Sequence, residues 1–495
     1  MNFAREVVEA APPGALALVE LARDGSRREW TFGEIAAGAA AMAGALGAAG
    51  VRRGDVVLTL LGNRPEWVMT MVACLRAGYV ALPCTEQLRA HDLRLRLDVA
   101  RPAAIVCDER NRDQLEAAGP ACPVMLIPDP RLFDPQAQPV PPPHAALDAA
   151  EPCLITFTSG TAGEPKAVVH GQRYLVGQAL QAESWLDARR GELVWCTASS
   201  GWSKSARNVF IAPWLRGAPA LLHDARFDPH ERLAILERES VGVLCMAPTE
   251  FRVIVARAQP RRVPSLRGLV AAGEALNPEV LRAFHEATGL WIRDGYGQTE
   301  TGQTTGQPAG EAPRPGSMGR PLPGIELWIE DGELCLDPHS DPTFFVGYLG
   351  DGVRRADGGG WTIEADRRDG GVWRTGDRVT RDEDGYLFFE GRADDVIISA
   401  GYRIGPFEVE SALVAHPAVA EAAAVAAPDD ERGSVVRAVV VLREGHAPGA
   451  ALARELQEHV KALTAPYKYP RIVDFAVELP KTASGKVIRG ALRGH

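Results

Sequence analysis

The sequence predicts a large N-terminal α/β domain that contains a β-rich subdomain, followed by a small C-terminal α+β domain. In the first part of the chain, apolar runs of strand length alternate with helix-like runs, which is typical of an open α/β sheet. Between Gly316 and Glu390 the pattern changes to short apolar pieces broken by Gly and Asp, which favours β-structure. Helices and strands resume after Gly391 to Asp395. We therefore place the domains at residues 1–391 and 392–495, with the subdomain at about 316–390.

The elements of the N-terminal part are predicted from apolar runs and from the residues that flank them. Thr31 and Glu34 match a capping box, in which each residue satisfies a free backbone N–H group at the start of a helix. The elements expected next in chain order are a helix up to Gly50, a strand from Val56 to Leu61, a helix from Glu66 to Arg76 ended by Gly78, and a strand from Ala103 to Cys107. A proline-rich connection over the surface is expected at residues 128–150.

The same signals continue through the rest of the chain. The elements expected there are a helix from Asp228 through Glu239, strands from Val241 to Cys245 and Leu269 to Ala272, helices from Phe407 to Ala415 and Ala451 to Leu463, and strands from Ala422 to Ala426, Ala438 to Leu442 and Ile472 to Val477. The elements after Gly391 indicate a compact α+β domain of about 100 residues.

The composition is that of a globular protein that acts on small molecules. The chain has 495 residues, of which 46% are hydrophobic and 24% charged, and its net charge of −10 argues against a nucleic-acid partner. No uncharged apolar stretch reaches the roughly 18 residues that a membrane span needs. Near the N-terminus, Arg5, Glu6 and Glu9 fit neither a signal peptide nor a transit peptide. The eight cysteines lack metal-ligand spacing, so we expect reduced thiols and a cytoplasmic protein. The oligomeric state is left open, with a homodimer among the alternatives.

A loop with the composition of a polyphosphate-binding site follows the apolar run Leu154 to Phe157. Its members are Thr158, Ser159, Gly160, Thr161, Ala162, Gly163, Glu164, Pro165 and Lys166. Glycines let the backbone approach a ligand, hydroxyl and N–H groups can face phosphate oxygens, and a lysine supplies positive charge. The usual P-loop differs, because Glu164 and Pro165 separate Gly163 from Lys166 here, which weakens the kinase and GTPase interpretations. Taken alone, such a run is equally consistent with a surface turn.

Four further stretches accompany this loop. They are Gly295 to Thr301, Arg374 to Asp377, Gly391 to Gly405 and Pro480 to Lys486. In this order, and over nearly the whole chain, the five motifs closely resemble the adenylate-forming enzymes and, among them, the medium-chain acyl-CoA synthetases. The resemblance implies that a carboxylate and ATP give an acyl-adenylate and pyrophosphate, and that CoA then displaces AMP to give a thioester. ATP and CoA would be co-substrates, and Mg²⁺ the cofactor.

The resemblance assigns the nucleotide contacts to residues whose chemistry suits them. Thr299 would lie on the α-phosphate and Glu300 on Mg²⁺, a hard ion that prefers oxygen ligands. Asp377 would accept hydrogen bonds from both ribose hydroxyls, with Arg392 directed toward the ribose and phosphates. Further ATP contacts, including the walls of the adenine site, would be Gly273, Glu274, Ala275, Asp294, Gly295, Tyr296, Gly297 and Gln298. Without the resemblance, Glu300 would equally be a solvated surface acid and Asp377 a turn residue.

Lys486 receives the main catalytic role, because its ammonium group can bridge the incoming carboxylate and the α-phosphate. On its own, a lysine in a Ser-Gly-Lys loop is typical of a protein surface. In the family, the mobile C-terminal domain turns about a hinge that matches Asp394 between the two half-reactions. The CoA contacts that the resemblance implies are Ala400, Gly401, Tyr402, Arg403, Arg432 and Lys461.

The acyl pocket is assigned to Gln87, Trp202 and Gly297. Acetyl-CoA synthetases carry a tryptophan where this chain has Gly297, so its absence would open a channel for a longer or wider acid. The expected substrate is therefore a medium-chain, branched or aromatic acid, although a lone tryptophan such as Trp202 is also a common core residue. Two alternatives to a CoA ligase remain, namely an adenylation protein that loads a separate carrier protein and a non-catalytic relative. The full set of catalytic residues argues against the second.

Overall fold

The computed structural model describes most of the chain. Described are residues 2–158, 165–274, 276, 278–355, 360–364, 366–392, 395–399, 402–429, 432–465, 467–482 and 487–493, without the side chain of Arg403. Among them, no helix has both the length and the apolar character that a bilayer span requires.

The strands, in chain order, are β1 (Leu16–Leu21), β2 (Arg27–Thr31), β3 (Val56–Leu60), β4 (Val80–Cys84), β5 (Ala104–Asp108), β6 (Val124–Ile127), β7 (Pro152–Phe157), β8 (Ala167–Gly171), β9 (Val194–Cys196), β10 (Ala220–His223), β11 (Val243–Met246), β12 (Gly268–Ala272), β13 (Ile292–Gly295), β14 (Thr305–Gly306), β15 (Arg320–Pro321), β16 (Leu327–Glu330), β17 (Glu333–Leu336), β18 (Gly347–Leu349), β19 (Gly352–Arg355), β20 (Trp361–Ile363), β21 (Trp373–Arg381), β22 (Leu387–Arg392), β23 (Ile397–Ser399), β24 (Tyr402–Ile404), β25 (Val419–Asp429), β26 (Gly433–Leu442) and β27 (Ile472–Ala476).

The α-helices are α1 (Phe32–Ala48), α2 (Pro65–Ala77), α3 (Ala90–Ala100), α4 (Arg112–Ala118), α5 (Arg173–Ser184), α6 (Ser203–Ala206), α7 (Ala212–Leu215), α8 (Pro229–Arg238), α9 (Pro248–Arg257), α10 (Pro278–Thr288), α11 (Pro406–Val414), α12 (Ala450–Leu463) and α13 (Arg489–Leu492). A π-helical segment, Arg207–Ile211, joins α6 to α7.

Two large sheets form the N-terminal part. Among the described strands, one sheet has the order β13-β12-β11-β9-β10-β1-β2 and the other β20-β19-β18-β8-β7-β4-β3-β5-β6. Strands β3 and β4 pair in parallel because α2 returns the chain between them, and α9 does the same for β11 and β12. Val57 of β3 packs into one apolar cluster, whereas its neighbours Val56 and Leu58 pack into another. Because successive side chains point to opposite faces, this sheet is buried on both sides.

The β-structure predicted after Gly316 is confirmed. Strands β16, β17, β21 and β22 form an antiparallel sheet, and β18 to β20 extend one edge of the larger sheet. The register of β21 and β22 places Asp377 opposite Arg392. Two of the sequence motifs therefore meet on neighbouring strands.

The C-terminal part has an apolar cluster of its own. Strands β25, β26 and β27 form a sheet, and Val409 of α11, Leu456 of α12 and Val440 of β26 share one core. Because β22 continues through Arg392, the domain boundary placed between residues 391 and 392 stays a prediction.

The predicted caps are confirmed. The N–H group of Glu34 donates to the Thr31 hydroxyl at 3.2 Å, and the Glu34 carboxylate accepts the N–H of Thr31 at 2.8 Å. Helix α2 ends at Gly78, whose φ of 73° suits a residue without a side chain. The strand expected from Val241 begins at Val243 instead. The N–H group of Val241 is used in the turn after α8, where it donates to the carbonyl of Leu236 at 3.1 Å.

The proline-rich connection packs directly against α1. A Cβ atom at Gly44 of α1 would lie 2.3 Å from the carbonyl oxygen of Pro139. The absence of a side chain at Gly44 therefore lets the connection pass over the helix.

Candidate active site

The predicted phosphate-binding loop joins the antiparallel strands β7 and β8. The N–H group of Thr158 donates to the carbonyl of Lys166 at 2.9 Å, and the N–H of Lys166 donates to the Thr158 hydroxyl at 3.0 Å. Pro165 lies just inside this closure. The predicted contacts from Ser159 to Glu164 lie outside the described residues. The described ends thus form the closed base of the loop.

Tyr348 brings this loop and Glu300 together. Its hydroxyl donates to Glu300 Oε1 at 2.8 Å, and Lys166 Nζ lies 5.0 Å from the centre of its ring. Burial, followed by the negative charge of Glu300, raises the pKa of Tyr348, so the phenol stays protonated and donates. The cation of the loop and the carboxylate assigned to Mg²⁺ therefore face the same side chain.

Asp377 is the point where three motifs converge. Its carboxylate accepts hydrogen bonds from Tyr296 Oη at 2.5 Å, Gln298 Nε2 at 2.8 Å and Arg392 Nη1 at 3.2 Å. Trp373 Nε1 donates to Gln298 Oε1 at 3.1 Å and fixes the orientation of that amide. Only 4% of Asp377 is exposed. Charged hydrogen bonds of this kind hold a buried carboxylate in one place.

Burial raises the pKa of Asp377, whereas the charge of Arg392 and the hydrogen bonds act in the opposite direction. Burial and the neighbouring Asp377 also raise the pKa of Tyr296 well above its usual value, so Tyr296 donates its proton to the pair. The site therefore presents a preoriented acceptor, which is what recognition of two ribose hydroxyls requires.

The stretch from Gly297 to Gly302 is a tight loop. The N–H group of Gly302 donates to the carbonyl of Gln298 at 3.0 Å, and the N–H of Gln298 donates to the Thr301 hydroxyl at 3.0 Å. A Cβ atom at Gly297 would lie 1.7 Å from the carbonyl oxygen of Gly302. The loop itself therefore requires glycine at position 297. The sequence analysis explained Gly297 only by the absence of the tryptophan that blocks the pocket in acetyl-CoA synthetases, and it did not predict this constraint.

The turn after β12 carries Gly273 and Glu274, two of the predicted ATP contacts. Gly273 has a φ of +101°, and the side chain of Lys204 donates to the carbonyl of Ala272 at 2.7 Å. The Glu274 carboxylate accepts a hydrogen bond from Thr249 Oγ1 at 2.7 Å. The predicted contact Ala275 lies outside the described residues.

Asp294 is the second-last residue of β13, which pairs with β12, and it is deeply buried. Its carboxylate accepts the N–H group of Gly295 at 2.8 Å. Burial raises the pKa of Asp294 to about 8, against the hydrogen bond from Gly295 and the positive charge of Lys204. Asp294 is therefore mainly protonated at neutral pH, and its role here is to fix the backbone that leads into the Tyr296 motif.

The structure brings the segments of Gln87 and Trp202 together. Gly201 has a φ of +88°, and a Cβ atom there would lie 2.3 Å from the backbone nitrogen of Thr85. Trp202 is the N-cap of α6 and is partly exposed, and Gln87 is exposed two residues after Thr85. The chain segments that carry Gln87 and Trp202 are therefore in direct contact, and the assignment of both side chains to the acyl pocket stays a prediction.

Comparison with known proteins agrees with this geometry. The sequence matches the AMP-binding enzyme family over residues 4–343 and the AMP-binding enzyme C-terminal domain over residues 408–486. Acyl-coenzyme A synthetase ACSM4, mitochondrial, from Mus musculus is 39% identical over 529 residues, which span 99% of this chain and 90% of the relative. The crystal structure of a benzoate CoA ligase from Burkholderia xenovorans LB400 has a TM-score of 0.87 at 28% identity and covers 100% of both chains. The anthranilate CoA ligase AuaEII, in complex with anthranoyl-AMP, has a TM-score of 0.88 at 28% identity, over 99% of this chain and 96% of that one.

The chain belongs to the AMP-binding enzyme family. Together with the acyl- and aryl-CoA ligases among its relatives, this makes it an AMP-forming acid–CoA ligase. The fold of a large N-terminal part and a small C-terminal part is that of the same structures.

Two of the residues predicted to bind CoA in this AMP-binding enzyme, Tyr402 and Lys461, lie next to aromatic rings. Tyr402 is exposed and stacks on Tyr467 with ring centres 4.4 Å apart, and Lys461 Nζ lies 4.3 Å from the centre of the Tyr469 ring. The N–H of Arg432 donates to Asp429 Oδ1 at 2.9 Å. The predicted residues Asp394, Ala400, Gly401 and Lys486 and the side chain of Arg403 lie outside the described part of the chain.

Sequence reasoning missed the residues that connect motifs of this AMP-binding enzyme. Tyr348 links Glu300 to Lys166, Trp373 orients Gln298, and Lys204 holds the turn after Ala272. Each lies outside the motif it supports, and a single sequence carries no signal for contacts between residues so far apart.

Proposed function

We propose that this AMP-binding enzyme activates a medium-chain, branched or aromatic carboxylic acid with ATP and then transfers the acyl group to CoA. The convergence of Tyr296, Gln298 and Arg392 on Asp377 carries the proposal, because it gives the nucleotide a fixed, buried acceptor. An acyl-coenzyme A synthetase and a benzoate CoA ligase among the relatives support an acyl or aryl acid.

In the first half-reaction, a carboxylate oxygen attacks the α-phosphorus of ATP, and the bond to the pyrophosphate oxygen breaks. Asp377 and Arg392 hold the ribose, while Thr299 and the phosphate-binding loop with Lys166 hold the phosphates in line. Lys486 bridges the carboxylate and the α-phosphate as charge develops there. The products are acyl-AMP and pyrophosphate.

In the second half-reaction, the CoA sulfur attacks the acyl carbon, and the carbon–oxygen bond to AMP breaks. The thiol proton goes to solvent, and AMP leaves as the phosphate monoester. The positive side chains Arg403, Arg432 and Lys461 would bind the CoA phosphates. The segment Ala400 to Arg403 would line the thiol's path, with Asp394 as the hinge.

The residues present fit Mg²⁺. Glu300 is a partly exposed carboxylate beside the phosphate-binding loop, and the described residues contain no cluster of three side chains that would hold a metal alone. Mg²⁺ is commonly bound by one or two carboxylates together with substrate phosphates and water. The bound ion would neutralise negative charge on the phosphate oxygens.

A cytoplasmic location is part of the proposal. The eight cysteines are free thiols, which fits a reducing compartment. The mouse relative, by its name, is mitochondrial, so cell fractionation is the direct test.

The test is AMP and pyrophosphate release from ATP with a panel of acids, from acetate through octanoate to branched acids and benzoates, each with and without CoA. AMP formation that requires both one acid and CoA supports the proposal and identifies the substrate class. Pyrophosphate exchange with an acid, but without CoA-dependent turnover, would contradict it and favour transfer to a carrier protein.

A further inference from the structure

Arg207 is a buried cation behind the loop that carries Thr299 and Glu300. Only 4% of Arg207 is exposed, and neither Nε nor Nη1 has a hydrogen-bond partner among the described residues. It begins the π-helical segment that follows α6, five residues after Trp202. Short π-helical segments are frequent at functional sites.

Gly302 is the residue of this loop that packs closely against Arg207, because it lacks a side chain. A Cβ atom at Gly302 would lie 3.3 Å from Arg207 Nη1 and 2.5 Å from the hydroxyl of Thr343. The guanidinium group therefore faces the same loop that holds Gly297 and Thr299. Arg207 directly follows α6, whose N-cap is Trp202, so it belongs to one of the two segments to which the acyl pocket is assigned and packs against the other.

The neighbours of Arg207 do not supply a matching negative charge. His170 is 1% exposed and faces the backbone of Thr299, and burial, followed by the charge of Arg207, lowers its pKa to about 3. Tyr174 lies beside both residues, with its ring centre 4.0 Å from that of His170, and burial raises its pKa. Both side chains are therefore neutral at physiological pH.

Asp341, a buried acid that contacts Thr343, forms no ion pair with Arg207 among the described residues. Asp341 directs Oδ1 to Thr343, and its Oδ2 has no partner in the described chain. Burial raises the pKa of Asp341 to about 7, and the cations that act on it are Arg368 and Arg173. A buried guanidinium without a carboxylate is costly, and proteins rarely keep one without a function.

We propose that Arg207 forms an anion-binding subsite of the acyl pocket and that the preferred substrate carries a second carboxylate at the far end of its acyl group. This rests on the proposed ligase function. A carboxylate can accept two parallel hydrogen bonds from the guanidinium fork, which satisfies the two unpartnered nitrogens. Tyr174 shares a hydrogen bond with Arg207 but, like His170, brings no negative charge to it.

The test compares acids in pairs of equal chain length: hexanoate with adipate, octanoate with suberate, and benzoate with 4-carboxybenzoate. The readout is the ratio of kcat/KM for the diacid to that for the monoacid, measured as CoA-dependent AMP release. We expect the wild type to favour one diacid by about tenfold to a hundredfold, because a charged hydrogen bond is worth that much in affinity. Arg207→Met should reverse the preference, and Arg207→Lys should retain part of it.

Arg190→Met, at an exposed position, is the matched control and should leave the ratio unchanged. A wild type that favours the monoacid in every pair overturns the proposal, even if Arg207→Met does not fold. An equal loss on both members of each pair also overturns it, because Arg207 would then act on the reacting carboxylate or the nucleotide.

Failure of the ligase function itself is separable from failure of the subsite. If no acid supports AMP release, the proposed function fails, and the subsite is tested by thermal unfolding of the wild type and Arg207→Met with each acid. A rise in the unfolding midpoint with diacids, in the wild type only, supports the subsite. Equal shifts with diacids and monoacids overturn it.

Discussion

Asp377 shows how one side chain can unite distant motifs. Its two oxygens are shared among Tyr296, Gln298 and Arg392, which leaves a carboxylate whose position is set before the nucleotide arrives. Tyr296 and Gln298 come from one loop and Arg392 from a strand almost a hundred residues later, so the position of the acceptor depends on the strands and loops that carry them.

Asp377→Asn should weaken nucleotide binding with little change in the fold. The amide replaces a charged acceptor by a neutral one with a single oxygen, and we expect the KM for ATP to rise by about tenfold to a hundredfold. Steady-state kinetics with a saturating acid and CoA provide the measurement. Glu330→Gln, an exposed acid on the same sheet, is the control. An unchanged KM for ATP would show that Asp377 does not contact the ribose.

Asp294 gives a pH-dependent contribution to stability. Burial raises the pKa of Asp294 to about 8, well above the ordinary value of an aspartate, so the folded protein holds a proton that the unfolded chain releases. This stability is fully present below pH 4 and is lost as the pH rises toward 8, at roughly 1.4 kcal/mol per pH unit. Above pH 8 the contribution is flat.

Asp294→Asn should flatten the dependence of the unfolding free energy on pH. We expect the difference between wild type and variant to change most between pH 5.5 and 7.5, measured by denaturant unfolding at several pH values. Asp113→Asn, at an exposed helix position, should leave the slope as it is. Parallel curves for Asp294→Asn and wild type would mean that Asp294 is ionised in the folded protein.

At the scale of elements, the Gly297 to Gly302 loop offers two explanations for the glycine at position 297, namely an open acyl channel and the close packing of the loop. If Gly297 only keeps the acyl channel open, then a larger residue should exclude long acids and spare acetate. The structure instead places the Gly302 carbonyl where a Cβ atom would lie, so even an alanine must displace the loop. Thr299 and Glu300 would move with it.

Gly297→Ala should therefore lower kcat/KM for every acid, by about a hundredfold, because the loop that positions the nucleotide shifts. The measurement is AMP release across acids from acetate to octanoate. Gly14→Ala, at a site with no atom within 4 Å of the added Cβ, is the control. Loss that is confined to the longer acids would instead support the channel interpretation.

At the scale of the whole molecule, the N- and C-terminal parts have separate apolar cores. Separate cores allow two parts to change their relative orientation without unfolding, as domain closure requires. The two half-reactions are then expected to depend on different C-terminal residues.

Lys486→Ala should separate the two half-reactions. We expect adenylation, measured by pyrophosphate exchange, to fall by about a hundredfold, because a charge that stabilises the transition state is lost. Thioester formation from preformed acyl-AMP should persist. Lys481→Ala, at a lysine paired with Glu421, is the control for a nearby loss of charge. An equal fall in both half-reactions would contradict the role given to Lys486.

Local elements were predictable because their signals are local. The capping box at Thr31 and Glu34 and the end of α2 at Gly78 depend on residues within one turn of the helix. The predicted start of a strand was wrong where the preceding turn takes up a backbone N–H group, as at Val241. An apolar run does not show at which residue the hydrogen bonds of the turn end and those of the sheet begin.

The sequence by itself determined the fold class, the order of the motifs and the chemistry of residues such as Asp377 and Glu300, because residue type and spacing along the chain are enough for these. Only the tertiary structure decided which side chains meet. Three such contacts join segments that strand order and packing bring together: that of Tyr348 with Glu300, that of Gly297 with the Gly302 carbonyl and that of Arg207 with Gly302. Such contacts depend on distances across the fold, and those distances are set by all of the packed elements at once.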